Sequence, residues 1–298
     1  MTLKSGHSAA RPRRSMLYMP SSNARALDKA KTLPADGLIL DLEDAVAPEA
    51  KAVARAAAVA AANSKAYGKR EILIRANGLD TPWFEDDLAA IARSAADGVV
   101  IPKINTPDDV RKVDQTLRAA GARDDLMIWP MMETPRAILA ADAIAGASPR
   151  LAGFLMGTAD LAKDLHCAHP ADRAPMLYAL QHCLLAARAH ALLILDGVHI
   201  DIDDEAGFAV ACRQGRDMGF DGKTLVHPRQ IAGANAAFAP SPSELDWARR
   251  LTAAHKEAST QGQAVTLLDG RLVEILHVQQ AERVMARAEA ISELEAKM

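Results

Sequence analysis

The chain has 298 residues, is 50% hydrophobic and 24% charged, carries a formal net charge of −3 and is only 4% aromatic. That balance excludes a basic nucleic-acid surface, an anionic-membrane binder and a base-stacking platform. No run reaches the roughly 18 apolar residues that a membrane helix needs, and the length suits one α/β domain with a large core.

Residues 1–14 include Lys4, Arg11, Arg13 and Arg14, no acids and no apolar stretch of a signal peptide, so they are expected to form a short disordered basic arm. Apolar runs then recur with a regular beat, most of them leading into a helical pattern. Met16–Pro20 precedes a helix over 24–32, Gly37–Asp44 an Ala-rich helix over 48–66, and Glu71–Asn77 a helix over 83–94. Gly98–Lys103 precedes a helix over 107–120. Leu126–Met132 ends abruptly in Glu133, with Thr134 suited to an N-cap and Pro135 to the first helical position. Leu151–Met156 leads to Gly157-Thr-Ala-Asp160, Leu192–Asp201 to a helix over 205–219, and Gly222–Pro228 closes the series. Continuous rather than alternating apolar runs suit parallel strands buried on both faces. Eight such units over residues 15–240 predict an α/β fold, a (β/α)8 TIM barrel. No GxGxxG follows the first strand, which counts against a doubly wound sheet. Residues 241–298 read as a helix, an extended pair over 264–275 and a final helix, a C-terminal lid and oligomerisation segment. Cys167, Cys183 and Cys212 lack CxxC spacing and leave one unpaired, as expected of reduced thiols in a cytoplasmic protein.

The strand tips carry Tyr18 and Ser21, Asp41 and Glu43, Arg75 and Asn77, Lys103, Glu133, Asp160, Asp196 and His227. In a barrel these tips converge on the rim where active sites sit. Glu133 and Asp160, with no His or Cys ligand spacing nearby, form an oxygen-only pair suited to Mg²⁺, with Mn²⁺ as a substitute. The bland alternative makes Asp160 a helix N-cap and Glu133 a partner of Arg136. Arg75, pinned by Asp41 or Glu43, would be a preorganised stabiliser of an oxyanion. Lys103 suits either a Schiff base or a buried structural cation. His166 and His169 read as surface residues of a loop, His199 as core, and His227 as a structural cap of the rim.

The ordered motifs Leu17-Tyr-Met-Pro-Ser-Ser-Asn23, Leu40-Asp-Leu-Glu-Asp-Ala-Val46, Ile74-Arg-Ala-Asn-Gly78, Ile101-Pro-Lys103, Glu133-Thr-Pro135, Gly157-Thr-Ala-Asp-Leu161 and Gly219–Pro228 resemble the citrate lyase β-subunit-like CoA-ester lyases of the HpcH/HpaI aldolase superfamily, and within it the malyl-CoA/β-methylmalyl-CoA lyase branch. The resemblance runs from about Arg14 to Ala290. It implies Mg²⁺ on Glu133 and Asp160, a homotrimer or homohexamer, and an arginine at Arg75 that binds a 2-oxo acid (glyoxylate or pyruvate) and steadies the acyl-CoA enolate. Asp41 and Glu43 match the acids that orient that arginine; Tyr18 and Lys29 match positions that hold the CoA nucleotide. Many members carry arginine where this chain has Asn23. The family supplies an acid/base aspartate from a neighbouring subunit's C-terminal segment, and the matching residue here is Glu274, with Asp269 as another source. The expected activity is Mg²⁺-dependent C–C cleavage of a β-hydroxyacyl-CoA (malyl-CoA, β-methylmalyl-CoA or citramalyl-CoA) to a 2-oxo acid and an acyl-CoA thioester. The alternatives are a malyl-CoA thioesterase and a citrate lyase β-type subunit dependent on an acyl-carrier partner.

Overall fold

All eight apolar runs become parallel strands: β1 (Ser15–Pro20), β2 (Gly37–Asp41), β3 (Glu71–Arg75), β4 (Gly98–Ile101), β5 (Met127–Met132), β6 (Gly153–Met156), β7 (Leu193–Asp196) and β8 (Gly222–Leu225). The computed structural model describes residues 11–170, 172–261 and 265–297, so most of the expected basic arm, and Ala264 of the expected extended pair, lie outside the described residues. Each strand hydrogen-bonds to the next, and β8 returns to β1 with Met16 opposite Thr224, which closes the barrel. The helices that follow the strands are α1 (Ala24–Ala30), α2 (Lys51–Asn63), α3 (Phe84–Ala92), α4 (Pro107–Ala119), α5 (Pro135–Leu139), α6 (Ala141–Ala145), α7 (Thr158–Asp164), α8 (Leu177–Ala189), α9 (Glu205–Met218) and α10 (Gln230–Phe238). The described residues fall into two compact units, Arg13–Phe238 and Ala239–Lys297.

Alternate residues divide between two cores. Met16, Ile39, Leu73, Val100, Trp129, Met131, Leu155 and Leu195 fill the lumen, while their neighbours Leu38, Leu40, Ile72, Ile74, Val99 and Ile101 pack outward on the helices. Both faces are buried, which is why the sequence shows unbroken apolar runs. Pro130 has no N–H to give a ladder. Accordingly β5 pairs with β6 only at Met131 and Met132, with an isolated bridge from Ile128 to Leu151 below.

Arg13 and Arg14 do not belong to a solvated arm. Arg13 donates to Glu71 through Nε (2.5 Å) and Nη2 (2.7 Å) and lies 5.5 Å from the Trp129 ring centroid. Arg14 grips Asp36 through Nε at 2.9 Å, Nη2 at 2.8 Å and its backbone N–H at 2.7 Å. All four charged side chains are buried. Two bidentate carboxylates convert what looks like a basic tail into the start of the fold.

In the second unit α11 (Pro242–Thr260) opens on a capping box between Ser241 and Glu244. A hairpin of β9 (Thr266–Leu268) and β10 (Arg271–Val273) follows, turning through Asp269 and Gly270 with φ of +51° and +75°. Then comes α12 (Ile275–Glu295); Ala248, Leu251, Val273, Val278 and Ala281 form this unit's own apolar cluster. Among the described residues no helix is long and apolar enough to cross a membrane.

Removing one partner of a buried, hydrogen-bonded ion pair strands the other charge. Asp36→Ala is therefore expected to lower the unfolding free energy by about 3–5 kcal/mol, measured by urea unfolding.

Candidate active site

The C-terminal ends of the strands open into a cavity of about 490 Å³, lined among others by Tyr18, Asp41, Asp44, Arg75, Glu133 and Asp160. Its apolar wall includes Met131, Met156, Val198 and Val226. Five of the residues singled out in the sequence thus meet in one place, from strands β1, β2, β3 and β5 and helix α7.

Arg75 ends β3, directly opposite Asp41 at the end of β2. Its Nε and Nη2 donate to the two Asp41 oxygens, each at 2.7 Å. Nη1 lies 2.8 Å from Glu43 Oε2 and reaches Asp44 at 3.4 Å, and the guanidinium stacks 4.8 Å from the Tyr18 ring centroid. Burial opposes the charge on Arg75, but Asp41 and Glu43 outweigh it and raise its pKa well above the ordinary value. Asp41 is fixed in turn by the backbone N–H groups of Glu43 (2.9 Å) and Ala45 (3.2 Å). Lys51 holds that turn from below, donating to the carbonyls of Leu42 and Glu43 at 2.8 Å. Burial pushes the Glu43 carboxyl up despite Arg75 beside it.

Glu133 faces this cluster from β5 and is 1% exposed. Its Oε1 accepts the backbone N–H of Lys103 at 2.6 Å. To present that N–H, Lys103 adopts a left-handed conformation with φ of +53°, which for a non-glycine residue costs of order 1 kcal/mol. The other face of the carboxylate lies against Gly157, where an added Cβ would stand 2.5 Å from Oε2. No protein donor engages Oε2 among the described residues. Burial, aided by Glu43 and Asp160, pushes the Glu133 carboxyl up to about 7.

The bland reading of the two acids fails. Glu133 bonds Lys103 rather than Arg136, and the N-cap of α7 is Gly157, three residues before Asp160. Among the described residues no three His, Cys, Asp or Glu side chains gather closely enough to cage a metal. A hard cation held here would use two carboxylates and complete its shell with water or substrate oxygens, as Mg²⁺ commonly does. The free Oε2, the room left by Gly157 and the all-oxygen donor set fit such an ion.

Other expected rim residues do not line the cavity. Asp196 faces the helices, buried between Lys223 (2.9 Å) and Arg173 (2.5 Å); burial would raise its pKa, yet these cations hold it below the ordinary range. Asn77 is tied to Asp87 at 2.6 Å and serves the loop after β3. The Lys103 ammonium is half-exposed, 3.4 Å from Glu43, and its pKa is raised, whereas an imine-forming lysine needs a lowered one. His227 accepts the Arg229 N–H in a turn. His166 is exposed, but Nε2 of His169, like Nε2 of His199, is buried without a hydrogen bond. Lys29 is exposed on α1, and Asn23 serves as that helix's N-cap, accepting from Ala26. Glu274 belongs to the second unit, where it is the N-cap residue of α12 and its N–H donates to His277 at 3.1 Å. Lys51, Asp44 and Gly157 were not singled out as site residues from sequence.

Comparison with known proteins gives a consistent answer. The HpcH/HpaI aldolase/citrate lyase family matches residues 14–228. A (3S)-malyl-CoA thioesterase of Cereibacter sphaeroides is 49% identical over 283 residues, covering 95% of this chain and 97% of the relative. An L-malyl-CoA/β-methylmalyl-CoA lyase of the same organism is 35% identical over 95% of this chain and 96% of its own. The CitE protein of Mycobacterium tuberculosis, crystallised with magnesium, acetoacetate and coenzyme A, is 30% identical with a TM-score of 0.75 over 94% of this chain and 99% of its own.

A buried carboxyl with a raised pKa destabilises the fold once it must ionise. The penalty for Glu133 is absent below its ordinary value of 4.5, grows as pH rises toward about 7, and persists above. In the presence of a chelator, Glu133→Gln is expected to be more stable than the native protein at pH 8 by about 1–3 kcal/mol. At pH 4 the two should unfold alike in urea.

Proposed function

The chain belongs to the HpcH/HpaI aldolase/citrate lyase family, and from that membership we propose that it acts on the CoA thioester of a short hydroxy-diacid, hydrolysing malyl-CoA to malate and CoA. The observation that carries the chemistry is the buried guanidinium of Arg75, locked to Asp41 and facing the Glu133–Asp160 pair across one cavity. The likeness to a thioesterase at 49% identity, against 35% for a lyase, favours hydrolysis over cleavage. Reversible C–C cleavage to glyoxylate and acetyl-CoA is the second reading, since both reactions need the same polarised acyl group.

Glu133 and Asp160 would hold Mg²⁺, or Mn²⁺ in its place. When bound, the cation supplies positive charge and Lewis acidity to the substrate's oxygens. Arg75 spends two N–H groups on Asp41 and leaves one Nη2 proton for a substrate oxygen. Because Asp41 and the Tyr18 ring fix its plane, little reorganisation accompanies charge development. Methionine and valine side chains form the apolar wall of the cavity beside these groups. Lys29, exposed on α1, is proposed to meet the CoA phosphates.

Glu274 is proposed as the acid/base group, presented to the barrel of a neighbouring copy in a homotrimer or homohexamer. Its extra methylene, relative to the aspartate of related lyases, shifts the carboxylate by about an ångström. A displacement of that size can cost a tightly aligned step about a hundredfold. Deprotonating a substrate hydroxyl demands such alignment, whereas a water molecule can follow the carboxylate. The longer side chain therefore favours hydrolysis.

Incubating the purified protein with Mg²⁺ and (3S)-malyl-CoA should release free thiol and malate. Glyoxylate and acetyl-CoA in equal amounts instead would establish the lyase reading. Arg75→Lys should lower kcat by about 10²–10³-fold through loss of the two-pronged grip on Asp41. Glu133→Gln should lower Mg²⁺-dependent turnover by more than about a hundredfold; unchanged turnover would remove Glu133 from the metal site.

A further inference from the structure

Tyr18 stands where its side chain can do more than contact a nucleotide. Its side chain projects from β1 toward the barrel lumen and packs on the interior cluster that includes Met16 and Met131. It lines the same cavity as Glu133 and Asp160. Its ring lies under the Arg75 guanidinium, 4.8 Å from centroid to Cζ. Among the described residues its hydroxyl has one partner, the Met131 thioether at 3.9 Å. A thioether is a weak acceptor, so a strong O–H donor stands in the acyl end of the cavity with its hydrogen bond nearly unused. Burial raises the phenol above its ordinary value, and it stays protonated at neutral pH.

Building on the proposed function, we infer that Tyr18 is a catalytic residue whose Oη–H, with the Nη2 proton of Arg75 left free by Asp41, donates to the thioester carbonyl oxygen as charge develops there. Both candidate reactions place negative charge on that atom. In hydrolysis, the water oxygen bonds to the thioester carbon, its proton passes to a base, and the carbonyl π pair moves onto oxygen. The C–S bond then breaks and the leaving thiolate takes up a proton. In C–C cleavage, the hydroxyl proton passes to the base, the hydroxyl-bearing carbon becomes a carbonyl, and the pair of the broken C–C bond forms the enolate of the acyl-CoA. Two donors converging on one oxygen in a site walled by methionine and valine form an oxyanion hole. This function is distinct from holding the nucleotide, which an exposed residue such as Lys29 can do.

Y18F keeps the ring under Arg75 and removes only the donor. Its melting temperature is expected to stay within a degree or two of the native value. With malyl-CoA, kcat should fall about a hundredfold, equally for thiol release and for any glyoxylate formed, while the dissociation constant for CoA alone stays the same. A tenfold weaker grip on CoA with unchanged kcat would return Tyr18 to the nucleotide and overturn the inference, as would no change in either. An independent readout is the infrared stretch of acetyl-CoA labelled with ¹³C at the thioester carbonyl. On the native protein it should move to lower wavenumber, and in Y18F it should move part of the way back. An identical shift in both proteins, or none on the native protein, overturns the proposal. A Y18F-sensitive shift without malyl-CoA turnover supports the hydrogen bond and defeats the functional reading instead.

Discussion

The two-pronged bond between Arg75 and Asp41 is the constraint on which the barrel mouth depends. Four acids, Asp41, Asp44, Glu133 and Asp160, line one cavity with Arg75, and such a crowd of acids repels itself unless a cation is fixed among them. Arg75 neutralises the group nearest to it, and Asp41 fixes the guanidinium in one orientation. The strand register makes this possible, because β2 and β3 pair so that Asp41 and Arg75 end level with each other. Lys51 and the backbone of Glu43 and Ala45 then hold Asp41, so the order of the site extends two bonds beyond the residues that face the cavity.

Across the cavity the arrangement is held against its own stability. Glu133 is buried, burial pushes its carboxyl up to about 7, and the N–H that restrains it comes from a lysine in a left-handed backbone conformation. Gly157 gives up side-chain packing to leave the carboxylate room. Each of these is unfavourable for a chain alone and makes sense where an ion or substrate offsets it. The interior ion cluster of Asp196, Lys223 and Arg173 is the opposite case. There one buried carboxylate is held by two cations, none of the three lines the cavity, and the group joins the strands to the helices.

The barrel itself was legible in the sequence because strands buried on both faces appear as unbroken apolar runs. That same property hid which way each tip residue points. A run without alternation gives no phase, so Asp196 looked equivalent to Glu133, although one faces the helices and the other the cavity. Thr134 and Pro135 behaved as their capping chemistry requires, whereas Asp160 proved not to be a cap. Arg13 and Arg14 looked like a solvated tail because their partners lie 58 and 22 residues away in Glu71 and Asp36. The anchoring role of Lys51 depends on a tertiary turn and has no sequence signature. Tyr18 stood out as a polar residue at a strand tip, but its orientation toward the lumen came only from the fold.

The closure of the barrel has a consequence for how the protein is made. Met16 of the first strand pairs with Thr224 of the last, and the carbonyl of Arg13 packs directly on Gly222. On the ribosome the first strand must therefore wait for roughly 200 further residues, or about 10–40 s at ordinary elongation rates. During that interval the growing sheet has two open edges, one at each end. The Arg14–Asp36 and Arg13–Glu71 pairs need only the first three strands, so they can dock the amino terminus on the nascent sheet early. They hold the waiting edge in register until the eighth strand arrives to seal it.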